Sequence, residues 1–253
     1  MDVKSGIFEG QTHVVVGAAS GIGQAAAMHL AGQGAEVVCL DLDAAGAAVT
    51  AKSIVTASQT AATSDRIDVS DHDSVQGAFA PFRAGKIDVL VNCAGITGKT
   101  GIKSQDVDMD DFDRVYAVNL RGALLVSQAV LPIMLGHDYG RIIHLASISG
   151  KEGNAGQAAY SSTKAGLIGL VKVMGKEYAT SGITINALAP AVIRTPILDT
   201  MPDSQIEYMT SKIPMERTGT LEEAVNMISW IVSPQCSFVT GFTFDLSGGR
   251  AVY

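Results

Sequence analysis

The stretch HVVVGAASGIG, residues 13–23, decides how the rest of the chain reads. A short apolar run without polar alternation ends abruptly in glycine, the pattern of a strand covered on both faces that turns into a helix. Gly17, Gly21 and Gly23 follow it with G-x-x-x-G-x-G spacing. Glycines at such a corner let the backbone turn tightly and approach a pyrophosphate, and the unpaired N–H groups of the helix start favour an anion. Ser20 adds a hydroxyl donor, and Ile22 completes the candidate cofactor loop. A corner that only packs helix on sheet would carry the same glycines, so the motif alone leaves both readings open.

The same unit then repeats along the chain. Helix formers fill 23–34 and stop at Gly34, and an apolar strand follows at 35–41. Further helices are predicted at 45–58, 71–82, about 109–135, 158–182, 202–213 and 220–233. Strands are predicted at 64–70, 86–95, 140–150, 183–190 and 239–249. Alternation of this kind predicts an α/β fold, a single-domain Rossmann-like doubly wound parallel sheet of about seven strands with helices on both faces. No Pro/Gly/Ser linker divides residues 1–253, which read as one dinucleotide-binding domain with a substrate lid at about 195–218.

Composition narrows the partners. Of 253 residues 47% are hydrophobic, and the formal net charge is −7. That balance argues against nucleic acid and against anionic membranes. The separate apolar runs fall short of the ~20 residues of a membrane span. MDVKSGIFEG at the start lacks the apolar segment of a secretory signal, so a cytoplasmic location is expected. Cys39, Cys93 and Cys236 lie far apart and read as buried free thiols, and five scattered histidines show no metal spacing. His29 and His144 read as packed or surface residues.

Asp41 strengthens the cofactor reading. It ends the second strand, where a carboxylate can hydrogen-bond the ribose hydroxyls of NAD and would repel a 2′-phosphate. No arginine stands beside it in CLDLDAAG, so NAD is expected rather than NADP. Asp68 and Val69 could line an adenine pocket, although Asp68 could equally cap the helix that follows. Asn92, Ala94 and Gly95 stand where a fourth strand would leave the sheet close to the cofactor. Tyr160 and Lys164, four apart, share a helical face, and an ammonium beside a phenol favours the phenolate. Ser147, leaving the fifth strand, could bond a reacting oxygen. Asn119, polar within an apolar helix, could hold a water or a carbonyl that links the lysine to solvent.

Taken together these residues resemble the short-chain dehydrogenase/reductase family over essentially the whole length. The family pattern T-G-x-x-x-G-x-G matches residues 16–23 except for Val16, and N-A-G appears as Asn92-Cys93-Ala94-Gly95. The resemblance implies a catalytic tetrad of Asn119, Ser147, Tyr160 and Lys164, with Tyr160 as base and Lys164 on the nicotinamide ribose. It also implies hydride transfer between nicotinamide and a carbinol carbon. The family's proline-glycine turn is here Pro190-Ala191, after which Ile193 and Thr195 would meet the nicotinamide end. Val16 lacks the hydroxyl that usually ties the glycine loop, so a modest loosening there is expected, and Ala191 must accommodate a Cβ.

The candidate substrate wall is polar: Thr97, Lys99, Ser149, Lys151, Glu152, Asn154, Gln157 and Arg194. Amides and hydroxyls suit a polyhydroxylated molecule, and Lys151 or Arg194 could meet a carboxylate or be plain surface charge. The chain also resembles bacterial dehydrogenases of 2-keto-3-deoxy sugar acids of the L-rhamnonate and L-fuconate type. Two alternatives stand beside that expectation: a 3-oxoacyl-[acyl-carrier-protein] reductase, and a non-catalytic NAD-sensing protein. The resemblance further implies a homotetramer, for which the apolar tail VTGFTFDLSGGRAVY would suit an interface.

Overall fold

The computed structural model describes residues 6–195, 198, 203–251 and 253. Its strands are β1 (Thr12–Val16), β2 (Glu36–Asp41), β3 (Ala62–Arg66), β4 (Val89–Asn92), β5 (Gly140–Leu145), β6 (Ile183–Pro190) and β7 (Thr243–Leu246). The helices are α1 (Gly21–Gly32), α2 (Ala44–Ser58), α3 (His72–Phe79), α4 (Met109–Tyr116), α5 (Gly122–Leu135), α6 (Ser149–Glu152), α7 (Ala158–Glu177), α8 (Asp203–Thr210) and α9 (Leu221–Val232). The seven strands form one parallel sheet in the order β3-β2-β1-β4-β5-β6-β7. β1 has β2 on one side and β4 on the other, so the winding direction reverses there and opens a crevice beyond the strand ends.

Strand periodicity feeds two cores. Val15, Val37 and Val91 pack with Leu30, Ile54 and Ile228 on one face. Val14, Val16 and Leu90 pack with Val75, Val126 and Met134 on the other. Burial on both faces is why β1 reads as an unbroken apolar run. Helices α4 and α5 are joined by a π-helical turn, Ala117–Arg121, into one continuous run. By length and composition Met109–Leu135 would suffice to cross a membrane, a length that separate apolar runs did not suggest. It lies on the sheet instead, with Val126, Val130 and Met134 buried.

Three elements depart from expectation. β3 lies at 62–66 rather than 64–70, because an edge strand needs little apolar surface and ATSDR is largely exposed. Ile67 and Val69, which suggested the later position, follow the strand and fill the core beneath α3 and α5. β7 is confined to the middle of the predicted 239–249 segment. The short helix α6, beside the fifth-strand exit, was not anticipated.

Candidate active site

At the C-terminal ends of β1, β2 and β4 lies a cavity of about 420 Å³ whose walls include Gly17, Ser20, Ile22, Gly23, Asp41, Asp68, Val69, Ala94 and Gly95. The glycine corner serves packing and approach together. A Cβ on Gly23 would stand 2.0 Å from the Gly17 carbonyl oxygen, and one on Gly17 would meet the Ala94 nitrogen at 2.9 Å. Gly21 is not crowded, but its φ of +56° favours glycine. Ser20 precedes α1 and makes no side-chain capping bond, which leaves its hydroxyl and the helix start to an anion. The residues present therefore fit a dinucleotide.

The loop is held by backbone groups. Gly17 N and Ala18 N donate to the Leu40 carbonyl at 2.8 and 3.2 Å, and Ala19 N donates to Asp41 Oδ2 at 2.9 Å. Val16 is fully buried in the core, and the corner beside it is tied by these backbone bonds. Asp43 N donates to Asp41 Oδ1 at 3.0 Å, and these two bonds set the carboxylate against the cavity wall. Asp68 accepts from Ser70 N and Oγ at 3.0 and 2.6 Å. The cap of α3 is Asp71, which accepts from Ser74 N, so the capping alternative for Asp68 does not hold.

Asn92 points into the protein rather than into the cavity. Its Nδ2 meets His144 Nδ1 at 3.1 Å and its Oδ1 accepts from Ala94 N at 3.2 Å, which shapes the β4 exit. Ser127 Oγ donates to the Ala123 carbonyl and so accepts from His144 Nε2 at 3.0 Å. Burial, aided by the nearby Lys164 charge, pushes His144 down to about 3, so the imidazole is neutral.

A second cavity of about 260 Å³ shares Ile22, Cys93, Gly95, Ile96, Leu145 and Thr195 with the first. Its other walls include Thr97, Ser147, Tyr160, Lys164, Pro190, Ala191 and Ile193. The first two turns of α7 present Tyr160 and Lys164 together. Burial raises the Tyr160 phenol above its ordinary value, and a hydrogen bond with Ser147 opposes that rise. The spacing suggested Lys164 for this opposing role. Its Nζ instead donates to the Leu145 carbonyl at 2.6 Å and stands 5.7 Å from the Tyr160 ring centre. Burial pushes the Lys164 ammonium down to about 8.

Asn119 sits in the π turn with its amide fully engaged. It accepts from Ile96 N at 2.8 Å and donates to Ile96 O at 2.9 Å and Thr163 Oγ1 at 3.2 Å, fastening the β4 loop to α7. A Cβ on Gly95 would crowd Lys164 Nζ at 3.2 Å and Asn119 Oδ1 at 3.3 Å. Ala191 adopts no positive φ, so the alanine fits its turn, where its N donates to the Leu246 carbonyl at 2.9 Å. Ile193 is buried and bridges to Gly219.

Three of the predicted substrate residues come together beside Ser147. Ser149 N donates to Ser147 Oγ at 3.1 Å, and Asn154 Nδ2 donates to Ser149 Oγ at 2.5 Å and Gln157 Oε1 at 3.2 Å. Lys151 does not join them. Its Nζ lies 2.8 and 3.0 Å from the two Asp245 oxygens, and its side chain is only 9% exposed, so it answers a carboxylate of the protein itself. Lys99 pairs with Asp108 at 2.6 Å. Arg194 is exposed and its N donates to the Gly219 carbonyl; like Ser149, Asn154 and Gln157, it is not among the described walls of either cavity. Gly101 N donates to the Gly156 carbonyl at 2.9 Å, joining the two loops that flank this region. Of the predicted lid at 195–218, residues 196–197 and 199–202 lie outside the described residues.

Residues 17–251 match the family described as enoyl-(acyl carrier protein) reductase. The chain is 43% identical to a 2-dehydro-3-deoxy-L-rhamnonate dehydrogenase (NAD(+)) of Sphingomonas sp. (strain SKA58), covering 100% of both chains. It is 35% identical to a 3-oxoacyl-[acyl-carrier-protein] reductase of Thermotoga maritima, covering 97% of this chain and 99% of that one. The solved structure of levodione reductase superposes with a TM-score of 0.91 at 30% identity, over 97% of this chain and 100% of that one. The chain thus belongs to the short-chain dehydrogenase/reductase family and is an NAD-dependent oxidoreductase.

Proposed function

We propose that the protein oxidises a secondary alcohol of a 2-keto-3-deoxy sugar acid, such as 2-keto-3-deoxy-L-rhamnonate, to the ketone. The observation that carries this reading is the polar cluster of Ser149, Asn154 and Gln157 beside the Ser147–Tyr160 pair, which suits a polyhydroxylated substrate. The full-length relative named for a substrate of this class supports it.

Gly17, Ser20, Gly21, Ile22 and Gly23 would hold the pyrophosphate, Asp41 a ribose, and Asp68 with Val69 the adenine. Asn92, through Ala94 and Gly95, would shape the nicotinamide side, and Pro190, Ile193 and Thr195 would close it. NAD, when bound, supplies the hydride acceptor. Tyr160, as phenolate, takes the proton of the substrate hydroxyl, and Ser147 donates a hydrogen bond to the same oxygen as its charge changes. The Lys164 ammonium, held at the Leu145 carbonyl, would bind the nicotinamide ribose, while the Ser147 hydrogen bond is what favours the phenolate. Asn119 keeps Ile96 and α7 in register so that these groups converge. With Lys151 engaged by Asp245, substrate recognition falls to the uncharged donors Ser149, Asn154 and Gln157.

In this reading the segment 195–218 covers the substrate and the enzyme works as a homotetramer in the cytoplasm. Exposed Trp230 and Phe242 beside β7 support an interface there, and the free thiols Cys39, Cys93 and Cys236 suit a reducing compartment. The test compares NAD⁺ and NADP⁺ with a panel of sugar acids, then NADH and NADPH with a β-ketoacyl thioester. NAD⁺-dependent oxidation of the sugar acid is expected. Efficient NADPH-dependent ketoacyl reduction would favour the reductase instead, and no turnover with any of them would favour an NAD sensor.

A further inference from the structure

We propose that Arg250 is a positioning residue that acts through Asn154 to aim the Gln157 amide at the substrate. The inference rests on the reading of the Ser149–Asn154–Gln157 cluster as the substrate side of the site. After β7 the chain turns at Gly248 and Gly249, whose φ values are +59° and +88°. Arg250 N donates to the Ser247 carbonyl at 3.2 Å and Ala251 N to Ser247 Oγ at 3.1 Å, which returns the tail over α6. There Arg250 Nε lies 2.9 Å and Nη2 2.8 Å from Glu152 Oε2, and Nη2 donates to Asn154 Oδ1 at 3.0 Å. The side chain is only 10% exposed.

A guanidinium has donors and no acceptor. It therefore fixes which end of the Asn154 amide faces it: Oδ1 must accept, and Nδ2 is turned towards Ser149 and Gln157. Gln157 Oε1 then takes hydrogen bonds from Asn154 Nδ2 at 3.2 Å and Ser149 Oγ at 3.3 Å. Both hydrogen bonds of the Gln157 side chain fall on Oε1, so among the described residues its Nε2 makes none. Two amide hydrogens are thus offered to a ligand hydroxyl or carboxylate. Asn154 itself is anchored through its N to Ser161 Oγ at 3.1 Å, in the same helix as Tyr160. A cation from the tail thereby sets the polarity of a side chain close to the reacting groups.

Two variants separate aiming from simple support. Arg250→Met keeps the stem but releases Asn154 to flip. Asn154→Asp keeps the pairing with Arg250 but offers only acceptors, which turns the Gln157 amide around. Both are expected to raise KM for 2-keto-3-deoxy-L-rhamnonate about tenfold, the equivalent of one lost hydrogen bond, with the KM for NAD⁺ unchanged. Arg250→Lys, which restores a donor, is expected to recover part of the loss. An unchanged sugar-acid KM in both variants overturns the proposal. So does a parallel rise of both KM values with a fall in Tm, which marks a merely structural tail. If the wild type leaves the sugar acid untouched, the substrate reading fails separately. The same comparison is then read with a 3-hydroxybutyryl thioester, where a selective KM rise supports the positioning role and no change overturns it.

Discussion

Replacing Lys164 by methionine should make the protein more stable at neutral pH while disabling it. Burial holds the ammonium at about 8 against an ordinary value of 10.5. At 1.36 kcal/mol per pH unit, keeping this lysine charged in the folded protein costs about 3 kcal/mol. The folded value lies below the unfolded one, so between about 8 and 10.5 the unfolded chain binds the extra proton and wild-type stability rises with pH. Below that window the cost is fully present, and above it the cost is gone. Methionine keeps the apolar stem but gives up the 2.6 Å bond from Nζ to the Leu145 carbonyl. That loss, of a bond from a charged donor, offsets about 2 kcal/mol of the gain. The variant should therefore be about 1 kcal/mol more stable at pH 7, a Tm increase of roughly 2–4 °C for a chain of this size. Scanning calorimetry from pH 7 to 10.5 without added cofactor measures the gap. It should narrow steadily across the window, while turnover falls by about 10²–10⁴. A variant that melts no higher than wild type at pH 7, or a gap that stays constant with pH, would refute the argument.

Asp41→Ser should lower the preference for NAD⁺ over NADP⁺ by roughly 10- to 150-fold, the worth of about 1.5–3 kcal/mol in charged hydrogen bonding and relieved repulsion. The ratio of kcat/KM for the two cofactors reads this directly, and an unchanged ratio would remove Asp41 from the ribose site. Gly23→Ala would set a Cβ 2.0 Å from the Gly17 carbonyl oxygen, so the corner must open. A loss of about 3 kcal/mol is expected from the urea midpoint, and wild-type stability would show that the corner yields easily. Tyr160→Phe should lower kcat by about 10²–10⁴ while cofactor affinity measured by NADH fluorescence stays at its wild-type value. Retained turnover would exclude the phenol as base.

Local patterns were legible. The apolar run before Gly17 reported a strand buried on both faces, and Tyr160 and Lys164 reported one face of a helix, because both periodicities lie within a few residues. Edge strand β3 was misplaced because its polar residues give no strand-like signal, while the apolar Ile67 and Val69 that follow it do. The fate of Lys151 could not be read locally, since its partner Asp245 is 94 residues away. Arg250 was hidden for the same reason, and its glycine turn looked like an ordinary end to the last strand. Asn119 was visible as an odd polar residue. Its hold on Ile96 depends on a π turn that no local pattern announced.

The bond between Gly101 and Gly156 limits how this site can diverge. Both residues have positive φ, +76° and +77°, and a Cβ on Gly156 would lie 2.9 Å from the Gly101 Cα. The separation of the two flanking loops is therefore set by main chain touching main chain. Side-chain replacement elsewhere can change what lines the space between them but cannot bring them closer. Widening it requires an insertion or a break in the glycine pair. Replacing side chains there alters the chemistry of that space at constant width, and a bulkier ligand needs a rearrangement of the loops.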